Sequence, residues 1–350
     1  MTELSNGKHT HTEIFSQPDI WQATLHRLSE MDPTQIPDPT SYQRLLFTGC
    51  GSTYYLSLWA ARMAEATNGV IARAAPASDL LLFPSSWLQK GTNTLLVAIS
   101  RSAETSETLR SVETFHAGGY GDSLAITCYP DRRLTALTTK AISTPDAQEE
   151  GIAQTRSFTS MMLAIAWWLL PDPPRGFEDT LTIAAKQLID TYAPLASELG
   201  RDTFLQRFFF LGSGPLYGVA SEAMLKMKEI SLSYSEAYHF LEFRHGPKSM
   251  VDDQSLVIGL LSEQAQDHEL AVMREMQDLG ARTIILAESP NNKIEQAGDS
   301  VVTLASGLPS GWRAPLYLPF LQLLALQRAL AKGLNPDQPA NLDPVVILDV

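Results

Sequence analysis

The sequence predicts an α/β protein in which one parallel-sheet unit, covered by helices on both faces, is built twice. Three observations predict it. The first is Arg44-Leu-Leu-Phe-Thr-Gly-Cys-Gly-Ser-Thr-Tyr, an apolar strand followed by a glycine turn and then by a helical pattern through Leu58, Ala61 and Met63. The second is continued alternation: Thr94 to Ile99 reads as a buried strand, the segment from Ser100 to Thr108 opens a helix, and Ser123 to Cys128 reads as a third strand. The third is repetition. Arg207-Phe-Phe-Phe-Leu-Gly-Ser-Gly-Pro-Leu-Tyr-Gly matches the segment at Arg44, Leu256 to Leu261 mirrors the strand before Ser100, and Thr283 to Ala287 mirrors the third strand.

Length and composition agree with two domains. The chain has 350 residues, of which 44% are hydrophobic and 19% charged. The expected organisation is an N-terminal helix and linker over 1–40, a first sheet domain over 41–170, a linker helix over 171–200, a second sheet domain over 201–334 and a tail over 335–350. The helix begins near Pro18, the prolines at 33, 37 and 39 predict an extended connector, and the tail is expected to be extended and to reach a site. A formal net charge of −13 disfavours nucleic acid and anionic membrane as partners. Two cysteines, Cys50 and Cys128, are too few for a disulfide framework and lack metal-type spacing, so a reducing, cytoplasmic setting is expected, with no metal. Met1 to Asn6 has no apolar run, and no signal peptide is expected. His9 and His11 are expected to lie in a frayed polar tail, and the apolar runs Met161 to Leu170 and Leu316 to Leu330 read as buried helices.

Each glycine turn follows a strand and precedes a helix, a context that suits an anion at a helix N-terminus. A dinucleotide fingerprint needs a third glycine, and Tyr54 and Tyr217 stand there instead, which argues against that cofactor. The loop Ser100-Arg-Ser-Ala-Glu-Thr lies where open parallel sheets bind ligands, and hydroxyls with helix-start N–H groups hold phosphate without a positively charged surface. The plainer alternative is that Ser102 or Thr105 merely caps the helix. Further along, Glu222, Lys226 and Glu229 share one helix face, which alone reads as a solvated ion-pair stripe. The segment Glu236 to Pro247 is expected to bring Glu236, Glu242, Arg244 and His245 together beside a Gly-Pro turn; the alternative for His245 is a structural cap.

Six ordered segments resemble the tandem sugar isomerase (SIS) domain proteins: Gly49-Cys-Gly-Ser-Thr-Tyr, Ser100-Arg-Ser-Ala-Glu-Thr, Gly151-Ile-Ala-Gln-Thr-Arg-Ser-Phe-Thr, Lys226-Met-Lys-Glu-Ile, Ser235-Glu-Ala-Tyr and Glu242-Phe-Arg-His-Gly-Pro-Lys. That family includes the isomerase half of glucosamine-6-phosphate synthase and stand-alone amino-sugar-6-phosphate deaminases, and the last segment is most similar to the stand-alone glucosamine-6-phosphate deaminases. The resemblance implies two five-stranded parallel sheets and assigns roles. Thr53, Ser100, Arg101, Ser102 and Thr105 would hold the phosphate and lower sugar hydroxyls, and the Ile152 to Gln154 backbone with the Gln154 side chain would line the sugar. Glu229 would carry a proton between C1 and C2, Lys226 would sit beside it, and His245 from a neighbouring subunit would open the sugar ring, which implies a homodimer.

The implied chemistry suits these side chains: a carboxylate can serve as base and then acid, and a histidine shuttles protons near pH 7. The leading expectation is conversion of glucosamine 6-phosphate to fructose 6-phosphate and ammonia with no cofactor. Alternatives are galactosamine 6-phosphate, a ketose 6-phosphate carrying an amino acid, and a sugar-phosphate sensor without turnover. Three departures from the family pattern bear on this. Thr2 follows Met1 where the synthase has a cysteine nucleophile, so use of glutamine is not expected; Pro344 stands at the family's C-terminal lysine; and Ala103 and Gln154 replace a glycine and a serine.

Overall fold

The computed structural model describes residues 6–348; Thr2 and the last two residues of the tail lie outside this range. The chain divides into two compact units. The first-sheet unit comprises Asp19–Glu149, Arg156–Arg175 and 343–348, and the second-sheet unit comprises 6–18, Glu150–Thr155 and Gly176–Leu342.

Each unit holds one five-stranded parallel sheet. In the first, β1 (Arg44–Gly49), β2 (Ile71–Pro76), β3 (Thr94–Ile99), β4 (Ser123–Thr127) and β5 (Lys140–Ser143) lie in the order β2-β1-β3-β4-β5. In the second, β6 (Arg207–Gly212), β7 (Tyr234–Tyr238), β8 (Ser255–Leu260), β9 (Arg282–Ala287) and β10 (Ser300–Thr303) lie in the order β10-β9-β8-β6-β7. Read from β7, the second order repeats the first. All neighbours pair parallel, with β1 in register between β2 and β3 (Phe47 opposite Ala74 and Val97). Helices cover both faces, so the central strands are apolar without alternation, as in Leu45, Leu46 and Phe47, all fully buried.

The helices that matter for the site are α1 (Lys8–Phe15), α2 (Gln17–Ser29), α3 (Ser52–Asn68), α4 (Ser106–Ala117), α5 (Arg156–Leu169), α6 (Phe177–Arg201), α7 (Leu216–Ser231), α8 (Gln266–Asp278) and α9 (Leu318–Ala331). The turn from β1 to α3 explains its glycines. A Cβ on Gly49 would lie 2.5 Å from the Thr53 hydroxyl and 2.9 Å from the Ile99 carbonyl, and Gly51 has φ 55°, a region that penalises any side chain. The apolar runs near 161 and 316 form α5 and α9, nearly every residue of which is buried. Among the described residues no helix is long and apolar enough to cross a membrane.

Two expectations are corrected. The segment holding His9 and His11 is not frayed: it forms α1, because Thr10, Glu13 and Ile14 are buried and Asp337 accepts bonds from the Thr10 amide and hydroxyl, each at 2.8 Å. The proline link is not simply extended. Asp32 and Asp38 cap two short 3-10 turns, Pro33–Gln35 and Pro39–Ser41, by accepting from Thr34 and Thr40 amides.

Candidate functional site

The first-sheet unit carries the hydroxyl-rich loop. It follows β3 and enters α4, and its backbone is set by a left-handed residue, Ala103, with φ 57° and full burial. The Ser100 hydroxyl accepts from the Ala103 amide at 3.2 Å, and the Ser102 hydroxyl accepts from the Glu104 amide at 3.3 Å. Each serine therefore keeps its own proton to donate to an anion. Thr105 is the N-cap residue of α4 but makes no side-chain cap bond, so capping does not account for its hydroxyl. Arg101 is anchored at both ends: its carbonyl accepts from the Cys128 amide at 3.2 Å, and its guanidinium lies 3.4 Å from the fully buried carboxylate of Glu149.

Thr53 is placed differently. Its hydroxyl donates to the Cys50 carbonyl and accepts from the Cys50 amide, both at 2.9 Å, so its proton is spent inside the glycine turn. The C-terminal segment also lies against this loop. Arg101 donates to the Pro344 carbonyl at 3.4 Å, the Ser106 amide donates to the Val346 carbonyl at 3.2 Å, and the Leu348 amide donates to the Ser106 hydroxyl at 3.1 Å.

The second-sheet unit carries the ionisable cluster. On α7 the Lys226 ammonium lies 2.5 Å from the Glu229 carboxylate and 3.4 Å from that of Glu222. Glu222 and Lys226 are fully buried and the Glu229 side chain is 20% exposed. The solvated-stripe alternative is thereby overturned: α7 packs between β6, β7 and α9, which takes this face out of water. The one partly exposed member is Glu229, and the ammonium lies against its carboxylate.

Ile152 and Gln154 belong to the same unit. The Ile152 amide donates to the Asp337 carbonyl at 3.4 Å, and the Gln154 side-chain oxygen is buried with no hydrogen-bond partner. An orphaned buried acceptor costs free energy until a donor reaches it, which a sugar hydroxyl or an ammonium group would do.

His245 is exposed, on a tight turn closed by its amide bonding the Glu242 carbonyl at 2.9 Å, before Gly246 with φ 114°. Of the expected gathering of Glu236, Glu242, Arg244 and His245, the last three share the turn and Glu236 lies outside it. Glu236 lies on the edge strand β7, where Tyr234 and Tyr238 donate to it, and Arg244 pairs with Glu275 at 2.7 Å. In a strand, residues two apart share a face, which puts Glu236 between the two tyrosines. Residues that the sequence did not single out as partners of the site are Glu149, Asp337 and Glu13. Each meets its partner through the fold, and no local spacing announces it.

The SIS domain family pattern matches residues 40–170 and 206–331. A Zymomonas mobilis glutamine–fructose-6-phosphate aminotransferase (isomerizing) is 28% identical over 100% of this chain, which spans 60% of the length of that enzyme. A Streptomyces coelicolor protein, provisionally named as a D-galactosamine-6-phosphate deaminase, is 30% identical over 95% of this chain and 91% of its own length. Among solved structures, tagatose-6-phosphate ketose/aldose isomerase from Escherichia coli matches with a TM-score of 0.86 and 25% identity, covering 97% of this chain and 96% of that one. Glucosamine-6-phosphate deaminase from Thermotoga maritima shares the fold, with a TM-score of 0.81 at 24% identity over 97% of this chain and all of that one.

Proposed function

The chain belongs to the SIS domain family, and on that premise we propose that it isomerises and deaminates an amino-sugar 6-phosphate, with glucosamine 6-phosphate going to fructose 6-phosphate and ammonia. The observation that carries this reading is the α7 cluster, in which a buried ammonium holds a single part-exposed carboxylate, Glu229, in place. A pure binding protein has no need of a buried ion cluster that opens to solvent at one oxygen-bearing end, and such a cluster is costly to keep.

In the proposed reaction His245, supplied by the neighbouring subunit of a homodimer, opens the ring. Exposure of His245 on its own chain, beside the exposed Leu241 and Met250, supports its delivery to a partner. Glu229 then takes the proton from C2 of the open aldose and returns it to C1, passing through an enolamine to the 2-imine, with Lys226 orienting it. Water adds at C2 and ammonia leaves, so one water enters for each ammonia released. Ser100, Ser102 and Thr105 hold the phosphate, with Arg101 beside them. Thr53 shapes the turn next to that loop. Ile152 and Gln154 line the sugar, and the unpartnered Gln154 oxygen receives a donor from it.

A second reading keeps the mechanism and changes the epimer, taking galactosamine 6-phosphate to tagatose 6-phosphate. It is favoured by the similarity to the Streptomyces coelicolor protein along nearly its whole length. One assay separates the two: ammonia release from glucosamine 6-phosphate and from galactosamine 6-phosphate, with fructose 6-phosphate plus ammonia run in reverse. Turnover of glucosamine 6-phosphate on the order of 1–1000 per second, well above the other epimer, is the expected result. The opposite ranking establishes the second reading, and silence on all three in folded protein rejects both.

A further inference from the structure

We propose that Glu13, on the N-terminal helix α1, is a positioning residue that sets the substrate loop 150–154; the inference rests on the sugar-phosphate reading above, which places Ile152 and Gln154 against the sugar. Glu13 is 3% exposed, and one of its oxygens, Oε1, accepts two successive amides, Glu150 N at 2.6 Å and Gly151 N at 3.0 Å. Its other oxygen fills the space a side chain at residue 151 would take: a Cβ on Gly151 would lie 2.7 Å from Oε2. The next amide, Ile152 N, donates to the Asp337 carbonyl, and Asp337 is itself held by α1, its carboxylate accepting from the His9 amide at 3.1 Å and from Thr10.

Three consecutive amides are thus fixed either by Glu13 or by a residue that α1 secures. Buried amides bonded to a carboxylate form strong, short bonds, and removing the acceptor strands both donors. With those amides fixed, the backbone of 150–152 has one arrangement, and the Gln154 oxygen that follows is presented, unpartnered, at a defined position. Without Glu13 the loop would sample several arrangements and the sugar would have to select one, which weakens binding before it alters chemistry.

The test uses full-length protein and two readouts. Amide exchange of the segment 149–154 is expected to rise at least tenfold in Glu13→Ala and to stay within about threefold of wild type in Glu13→Gln, whose amide oxygen can still accept both bonds. The KM for the amino-sugar phosphate is expected to rise about tenfold or more in Glu13→Ala, with kcat per folded protein changed far less, and to be largely restored in Glu13→Gln. If Glu13→Ala does not fold, Gly151→Ala displaces the carboxylate without deleting it and is expected to raise KM in the same direction. Unchanged exchange in folded Glu13→Ala, or an unchanged KM despite faster exchange, overturns the proposal. Faster exchange in a protein whose wild type turns over no sugar phosphate would instead reject the functional reading and leave the anchoring role of Glu13 standing.

Discussion

Lys226 is the residue that links the α7 cluster, because its ammonium pairs with both Glu222 and Glu229. Removing one partner of a buried ion pair leaves uncompensated charge and costs about 3–5 kcal/mol, whereas neutralising both sides is often tolerated. Lys226→Met is therefore expected to lower the thermal midpoint by roughly 5–10 °C. Adding Glu222→Gln should recover a good part of that loss, since it removes the carboxylate with no route to water. Calorimetry on the single and double variants decides it; a double variant no more stable than Lys226→Met would show that the cluster is not electrostatically coupled. The spacing of these three residues was legible in the sequence because helical neighbours at three and four positions are local. Burial was not legible, because the same spacing serves a solvated stripe. Glu13 was not legible at all: its partners lie 137 and 138 positions away.

At the scale of elements, the turn carrying His245 is tied down from both sides by one carboxylate. Glu275 on α8 accepts from Arg244 at 2.7 Å and also pairs with Lys248. Those bonds hold its carboxyl below the ordinary value of 4.5, with the Lys248 bond the larger cause. Because the folded-state value is depressed, the stabilisation is present above about pH 4.5 and is lost as pH falls through the lower folded value. Each pair is partly exposed and contributes about 0.2–1 kcal/mol. Glu275→Gln should thus melt below wild type at pH 7, and the gap should close as pH falls below about 4.5. A gap that stays constant over that range would show that the pairs do not hold the turn. The central strands could be read as unbroken apolar runs, whereas the edge strands β2, β5, β7 and β10 could not. Lys140-Ala-Ile-Ser, for example, has only Ile142 buried, and a half-exposed four-residue strand leaves no pattern distinct from a loop.

At the scale of the whole molecule, repetition was visible because two copies of a strand and glycine turn resemble each other more than chance allows. The partition of the chain was not visible. Residues 6–18 and 150–155 join the second-sheet unit although the first sheet separates them in sequence, since the bonds that recruit them are long-range: Thr10 to Asp337 spans 327 positions and Gly151 to Glu13 spans 138. The proposed function carries this reasoning beyond one chain, because it takes Glu229 from one subunit and His245 from the next. Glu229→Gln keeps the shape and hydrogen-bonding reach of the side chain but cannot take up a proton, so it should bind sugar phosphate while losing at least 100-fold in kcat. His245→Ala should fail at ring opening. If each active site draws one of these residues from each subunit, a heterodimer of the two variants contains one site with both defects and one with neither. Random exchange makes half of the dimers mixed, and each mixed dimer has one intact site of two. Co-refolded protein should therefore recover roughly a quarter of wild-type activity, where each variant alone shows almost none. The mixed species can be isolated with two affinity tags, and it should then show about half of wild-type activity per dimer. Recovery in neither preparation, with the mixed dimer demonstrated on the column, would place Glu229 and His245 in the same subunit's site and return ring opening to residues of a single chain.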